Sequence, residues 1–254
     1  MNREELILRE LHLYPLWKRR EQAVPDAVTV AAKKTTMLKI ENAENKIQEN
    51  EIPVSKTPES KNLTDIHSFD WPQLKSAVKN CTACALRAGC TQTVLGVGAE
   101  RADWLFVGEA SGIEEDAQGE PFVGQAGVLL NNMLTAIKLK RGTNVYLTNV
   151  VKCRSFENRT PAPDEISQCL PYLERQIALI RPKLIVALGQ VASTTLLVRE
   201  GSLASLRGEV HDYHGIPLIA TYHPAHLLRA PQNKAHAWQD LRLAVATMQS
   251  RAVS

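Results

Sequence analysis

The sequence has no long apolar run and no leader-like start. None of its hydrophobic stretches approaches the about 18 apolar residues of a membrane-spanning helix. The N-terminus, MNREELILRE, has acidic residues where a secretory signal peptide needs a basic segment and a longer apolar one. We therefore expect a cytoplasmic protein whose cysteines stay reduced.

A strong charge of either sign is also lacking. Lys and Arg number 30 against 27 Asp and Glu, and the pI is near 8.6. This small basic excess permits nucleic-acid binding without requiring it. At 254 residues the chain is long enough for one substantial domain and an appendage.

Three regions differ in composition. Residues 1–22 are rich in leucine with charges between, which predicts a short amphipathic helix that could dock on a protein partner. Residues 23–66 are polar and charged with few large apolar residues, which predicts a flexible linker. Residues 67–254 are dense in apolar residues and are predicted to form the folded domain.

Short apolar runs alternate with amphipathic helical patterns in this third region. The alternation predicts an α/β fold, a three-layer α/β/α sandwich around a four-stranded parallel sheet. In such sheets the ligand site lies beyond the carboxyl ends of the strands. The predicted strands are 104–107, 145–150, 184–188 and 218–221, and the predicted helices are 128–139, 163–180, 191–198 and 235–248.

The cysteines favour a metal site over disulfides in a reducing compartment. Cys81 and Cys84 form a C-x-x-C pair, and Cys153 and Cys169 lie far downstream. Four thiolates suit zinc or an iron–sulfur cluster, and the wide spacing of the second pair only slightly favours iron–sulfur. Scattered buried thiols are the alternative. We predict that Cys90 is free.

A glycine-rich segment, VGEASGIEEDAQGEPFVGQAG, follows the first predicted strand directly. Its glycines allow tight turns and close approach of a ligand. Phe122 could stack there on a planar ring, although a core phenylalanine in a glycine-rich connection is an equal alternative. The dinucleotide-binding pattern G-x-G-x-x-G is absent from the segment.

Polar side chains also follow the second and fourth predicted strands. Asn149 can both donate and accept hydrogen bonds, or can cap backbone groups at the strand end. His223 precedes Pro224 and could hydrogen-bond a developing anion, with His226 as its rival and a structural histidine as the alternative. Basic residues nearby suit phosphate contact or a solvated rim: Lys152, Arg154, Arg159, Arg229 and Lys234.

Together these segments resemble the family 4 uracil-DNA glycosylases, the iron–sulfur branch of the uracil-DNA glycosylase superfamily. The resemblance implies a monofunctional DNA-repair hydrolase that releases uracil from DNA and leaves an abasic site. It also implies a structural 4Fe–4S cluster on the four spaced cysteines, with zinc as the less favoured cofactor. We expect a nucleoid-associated monomer. The matching stretches are CTAC, GEASG…EED…GEPFVGQAG, TNVVKCR, NRTPAPDE…C and YHPAHLLR.

The resemblance implies roles for three of these side chains in recognising uracil flipped out of the duplex. Phe122 would stack on the base and Asn149 would read its polar edge. His223 would stabilise charge on O2 as the glycosidic bond breaks. Arg229 and Lys234 are our candidates for the DNA backbone.

Other positions in the glycine-rich segment are also assigned by the resemblance. Gly108 and Ala110 would line the uracil pocket, and Glu115 matches an acid that hinders the thymine methyl. Another branch of the superfamily has a water-positioning Asp where this chain has Ala110, so Glu109 is our candidate for that task. Ser111 stands where the family usually has proline, which we expect to loosen the loop.

Two other functions were weighed against this one. A noncatalytic iron–sulfur DNA-binding module is the main alternative, with Ser111 marking lost activity. A zinc-stabilised nucleotide hydrolase is a more distant one. No lysine is placed as an obvious Schiff-base nucleophile, which favours a monofunctional enzyme.

Overall fold

The structure is a computed structural model that describes residues 63–253. The helix predicted at 1–22 and most of the predicted linker lie outside the described residues. Residues 63–66 of that linker form part of a 3₁₀ helix, Leu63–Ser68, in which Ile66 is buried.

A six-stranded sheet lies at the centre of the described residues. Its four inner strands are parallel, and its two edge strands are antiparallel to their neighbours. The strand order is β1-β3-β2-β4-β6-β5 for β1 (Val97–Gly98), β2 (Trp104–Gly108), β3 (Val145–Asn149), β4 (Leu184–Leu188), β5 (His211–Tyr213) and β6 (Ile216–Thr221).

The predicted four-stranded count is therefore wrong, although all four predicted strands exist and are parallel. The two strands that were not counted, β1 and β5, have two and three residues. Strands this short do not establish an alternating apolar pattern, so the sequence does not reveal them. The edge strand β5 pairs antiparallel with β6 through a turn at His214 and Gly215.

Helices connect the strands and contribute the remaining core. The prediction of 163–180 matches the observed bounds, and the other three predicted helices differ by a few residues at their ends. None of the helices in the described residues is long and apolar enough to span a membrane. They are α1 (Trp71–Lys79), α2 (Leu86–Gly89), α3 (Ile113–Gln118), α4 (Gln125–Ala136), α5 (Pro163–Ile180), α6 (Gln190–Leu197), α7 (Leu203–Leu206), α8 (Pro224–Arg229) and α9 (Lys234–Val253).

Apolar clusters cover both faces of the sheet. Along β2, Leu105 and Val107 belong to one cluster, and Trp104 and Phe106 belong to the other. Helix α5 packs into the first cluster, while α4 and α9 pack into the second. Since both faces are covered, the inner strands are apolar throughout rather than alternating, which is why they are recognisable as short apolar runs.

A buried ion pair fixes the carboxyl end of β6. Asp240 is 1% exposed and accepts hydrogen bonds from Thr221 Oγ1 at 2.8 Å and from the Arg207 guanidinium at 2.8 and 3.1 Å. These hydrogen bonds offset part of the cost of burying the carboxylate, although burial still raises the pKa of Asp240. Thr221 is the last residue of β6 and lies two residues before His223, so its bond to Asp240 holds the start of the segment that follows β6.

Candidate active site

Three predicted site residues meet at Gly108, the last residue of β2. A β-carbon at this position would collide with Asn149 Oδ1 and would lie 2.7 Å from Phe122 Cζ and 3.5 Å from His223 Nε2. Gly108 and Asn149 are paired in the register of β2 and β3, so both strands end at the same place. Only glycine leaves room for these side chains to approach one another.

Asn149 presents an unpaired acceptor at this point. Its side chain is buried, and Oδ1 has no hydrogen-bond partner among the described residues. A buried polar atom of this kind is uncommon in folded proteins and marks a functional position. The alternative that Oδ1 caps a backbone group is not what the geometry shows.

His223 faces Gly108 as a neutral ring. It caps the N-terminus of α8, where its Nδ1 accepts the Ala225 N–H at 3.2 Å, so the ring proton lies on Nε2. Burial, together with smaller effects of the Arg229 and His226 side chains, lowers the pKa of His223 to about 4. The ring is therefore an uncharged Nε2–H donor at neutral pH.

The rival histidine is engaged elsewhere. His226 Nε2 lies 2.9 Å from Asn233 Nδ2, and its ring stacks on Tyr222 with 5.1 Å between the ring centroids. Of the two histidines, His223 is the one that approaches Gly108.

Phe122 belongs both to the core and to the site. Its side chain is 4% exposed and packs in the cluster that includes α4. Its ring also lies 5.7 Å from the His223 ring, centroid to centroid, at an interplanar angle of 31°. Phe122 is thus a core phenylalanine that borders the space at Gly108, and its stacking on a planar ring stays a prediction.

The other predicted residues of the glycine-rich segment differ in their surroundings. Glu115 Oε2 is 2.5 Å from where a β-carbon of Gly112 would stand. Burial raises the pKa of the Glu109 carboxyl above its ordinary value of 4.5. Ala110 packs against the cluster on the α5 side. The following residue, Ser111, is buried and forms a β-bridge with Arg154, which ties the loop to the segment after β3.

The four spaced cysteines surround one small cavity. Burial raises the pKa of the thiols of Cys84, Cys153 and Cys169, for Cys169 to about 11. Thiols with a raised pKa are poor nucleophiles when no metal is bound. The cavity is lined by Cys81, Cys84, Cys153 and Cys169 together with Arg87 and Tyr172, among others.

The fifth cysteine is close but differently bonded. The Cys90 thiol lies 3.7 Å from the carbonyl oxygen of Arg87 and 3.7 Å from its guanidinium. Burial is the largest cause of the raised pKa of Cys153, and the neighbouring Cys90 thiol is the next largest. Within residues 63–253, no three His, Cys, Asp or Glu side chains meet closely enough to hold one metal ion.

The chain is similar in sequence to known proteins. Residues 95–242 match the model of the uracil DNA glycosylase superfamily. A type-4 uracil-DNA glycosylase of Pyrobaculum aerophilum is 40% identical over 183 residues, which are 69% of this chain and 93% of that protein. One of Archaeoglobus fulgidus is 41% identical over 65% of this chain and 86% of its own length. One of Thermotoga maritima is 43% identical over 62% of this chain and 82% of its own length.

The chain belongs to the type-4 uracil-DNA glycosylases. The resemblance inferred from the five motifs is therefore confirmed. The matched region of this glycosylase runs from just before β1 to Arg242, inside α9, and includes Gly108, Asn149 and His223.

Lys152 is not a surface contact of this glycosylase, so neither a phosphate contact nor a solvated rim describes it. The residue is 2% exposed. Its ammonium donates to Thr148 Oγ1 at 2.7 Å, to the Asn149 carbonyl at 2.6 Å and to Gln176 Oε1 at 2.5 Å. Burial lowers the pKa of Lys152 to about 7. It holds the carboxyl end of β3 from inside the domain.

The remaining basic residues lie nearer the surface of the glycosylase. Arg159 pairs with Glu165 at 2.6 Å, which occupies its guanidinium. Arg229 is exposed, and Lys234 is half-buried at the start of α9 beside the apolar side chain of Trp238. Contact of Arg229 and Lys234 with the DNA backbone stays a prediction.

Sequence analysis missed one contact of Phe122. The guanidinium of Arg141 donates to the carbonyl oxygens of Phe122, at 2.7 Å, and of Pro121. No sequence pattern could have identified Arg141, because its partners are backbone carbonyls, which every residue has.

Replacing Gly108 with alanine should block the site while leaving the fold intact. The added methyl group would displace Asn149 or Phe122, and a shift of about 1 Å costs about a hundredfold in rate. The measurement is excision of uracil from a uracil-containing oligonucleotide. Gly89→Ala is the matched control, because a β-carbon there has no neighbour within 4 Å. Equal rates for Gly108→Ala and wild type would contradict the site.

Proposed function

We propose that this chain hydrolyses the N-glycosidic bond of uracil in DNA, releases uracil and leaves an abasic site. The observation that supports it most is the meeting of Asn149, Phe122 and His223 at Gly108. An aromatic face, an amide and a neutral imidazole donor are what recognition and departure of a uracil ring require. The relatives are named for this activity.

Asn149 and Phe122 would bind the flipped base. Uracil has an N3–H donor beside the O4 acceptor, so the carboxamide can accept from N3–H through Oδ1 and donate to O4 through Nδ2. The free Oδ1 would then gain the partner it lacks among the described residues. Phe122 would stack on the ring, which any planar base permits, so Asn149 provides the selectivity.

His223 would stabilise the leaving group. As the bond from C1′ to N1 breaks, its electron pair moves onto the uracil ring and negative charge grows on O2. The neutral Nε2–H can donate a hydrogen bond to that oxygen without first having to lose or gain a proton. A water adds to C1′ and releases a proton to solvent. Donors aimed at developing charge contribute most of such a rate enhancement.

The two acids have separate proposed tasks. Glu109 would orient the attacking water through its carboxylate, which follows β2 directly. Glu115 would crowd the C5 position, where thymine has a methyl group and uracil has only hydrogen. Its packing against Gly112 supports a fixed position for that carboxylate.

A 4Fe–4S cluster on Cys81, Cys84, Cys153 and Cys169 completes the proposal. These four cysteines line one cavity, and four thiolates are the ligand set that such a cluster takes. The backbone N–H of Lys152 donates a hydrogen bond to Cys169 Sγ at 3.2 Å. When bound, the cluster would cross-link the α1–α2 segment, the end of β3 and α5, a structural rather than catalytic task.

DNA would be the macromolecular partner, met by the exposed Arg229 and by Lys234 beside the His223 segment. We further propose action in the cytoplasm on the nucleoid, as a monomer. The noncatalytic DNA-binding module would share all of these contacts and differ only in turnover, so the assay of turnover decides between the two.

Uracil excision tests the proposal directly. The purified protein is incubated with a uracil-containing oligonucleotide and then with alkali, and cleavage at the uracil position is expected, with none on the thymine counterpart. Asn149→Ala and His223→Ala should each lower the rate about a hundredfold or more. His226→Ala is the matched histidine control. A folded, brown protein that never yields an alkali-labile site would favour the noncatalytic module.

The pH dependence should follow from the two shifted groups. His223 has a pKa near 4 instead of 6.5, so it stays neutral above about pH 5 and no change in rate should occur near pH 6.5. Glu109 must be ionised to orient water. Because its pKa is raised, activity on the acid side should be lost at a higher pH than an ordinary carboxyl group would give. Glu109→Gln should be slow and lack that acid limb. A wild-type rate that rises on protonation near pH 6.5 would refute the neutral histidine.

Cysteine variants test the ligand set. Serine at any of Cys81, Cys84, Cys153 or Cys169 should remove the brown absorbance of the cluster, whereas Cys90→Ser should keep it. Absorbance in the visible region and iron content are the measurements. If Cys90→Ser lost the chromophore while Cys169→Ser kept it, the assigned quartet would be wrong.

A further inference from the structure

The backbone of Phe122 has an unusual conformation. Its φ is +57°, in the left-handed region that bulky side chains avoid. Such a residue persists only where its surroundings hold it there, and positions of this kind cluster at ligand sites. The ring of Phe122 reaches Gly108 from this backbone, so the conformation sets where the stacking face lies.

The guanidinium of Arg141 binds both carbonyls that flank the α-carbon of Phe122. One bond goes to the Phe122 oxygen at 2.7 Å and the other to the Pro121 oxygen. In an extended chain consecutive carbonyls point to opposite sides, whereas in a helical conformation of either hand they point to the same side. One rigid fork can therefore bind both only when Phe122 is in the helical region that it occupies.

Gly127 also restricts the position of the Phe122 carbonyl oxygen. A β-carbon on Gly127, in the first turn of α4, would collide with the Phe122 oxygen. The oxygen is therefore wedged between α4 and the Arg141 side chain, which extends from the turn between Lys140 and Thr143. Neither contact is local to Phe122, so the strained backbone is held from two directions.

The carbonyl bonds are the main interaction of Arg141. Its ion pair with Glu120 is long, at 3.9 Å, and Glu120 is 57% exposed, so that attraction is weak. The Arg141 side chain is only 21% exposed, and burial lowers its pKa while Glu120 and Glu115 oppose that effect. Glu115 is the acid that we assign to thymine exclusion, so Arg141 is within electrostatic range of that carboxylate as well as bonded to the Phe122 backbone.

We propose that Arg141 is a positioning residue for uracil recognition, which holds Phe122 in the left-handed conformation that aims its ring at the flipped base. The inference rests on the proposed function of the chain. Arg141 touches neither base nor water, and its whole effect on the reaction passes through Phe122. Loss of the fork lets Phe122 relax toward allowed backbone angles, and the ring leaves the stacking position.

A double-mutant cycle tests this coupling. Single-turnover rates and KM for a uracil-containing oligonucleotide, with inhibition by free uracil, are measured for wild type, Arg141→Ala, Phe122→Ala and the double variant. Arg141→Ala should slow excision about ten- to a hundredfold and weaken uracil inhibition in the wild-type background. In the Phe122→Ala background it should change the rate by less than about twofold. Arg141→Lys should recover part of the rate, since an ammonium reaches only one carbonyl.

Two controls separate this role from charge and from the ion pair. Arg101→Ala removes one exposed positive charge, and Glu120→Ala removes only the ion pair, so both should keep rates within about twofold of wild type. Thermal unfolding checks the fold, and if Arg141→Ala does not fold, Arg141→Gln and Arg141→Lys give the same comparison.

The possible outcomes separate a failure of the Arg141 role from a failure of the proposed function. A wild-type chain without excision would refute the proposed function and with it this role. An active wild type in which Arg141→Ala is equally harmful with and without Phe122 would overturn the inference alone. A loss of rate in Glu120→Ala as large as that in Arg141→Ala would assign the effect to the ion pair and also overturn it.

Discussion

The absence of a side chain at Gly108 is the constraint on which the site depends. Parallel pairing brings the ends of β2 and β3 to the same edge, and the segment after β6 returns to that edge as well. Three side chains from different parts of the chain can then share one small volume, because β2 ends in a residue that occupies none of it. A parallel sheet makes such an edge available, and one glycine makes it accessible to a planar ring.

The interior beneath this edge is held by polar groups rather than by apolar packing alone. Lys152 places an ammonium among the oxygens of Thr148, Asn149 and Gln176, none of which is a carboxylate. Gln176 also donates to the Leu95 carbonyl at 3.0 Å. The network joins β3 to α5 and to the segment before β1. A buried polar network of this kind specifies one arrangement, because any other would leave a charged or polar group unpaired.

Much of this organisation follows from sequence, and the exceptions have physical reasons. The inner strands are predictable because both of their faces are covered, and α5 because Pro163, Asp164 and Glu165 mark its start. The edge strands are too short and too exposed to form a pattern. Lys152 was predicted to lie at the surface because lysine is rarely buried and because its partner Gln176 is 24 residues away in sequence. The roles of Asn149 and His223 came from the family resemblance, while their meeting at Gly108 required the three-dimensional structure.

The order of the motifs along the chain has a consequence for biosynthesis. All four cysteines of the quartet precede β4, so two of the four inner strands, β4 and β6, and also His223 follow the last cysteine. Chains leave the ribosome from the N-terminus at about 5–20 residues per second, so the thiols become available before the sheet can be completed. If the proposed cluster were inserted at that stage, it would join α5 to the end of β3 while His223 is still being translated. The proposed cross-link would then precede completion of the sheet.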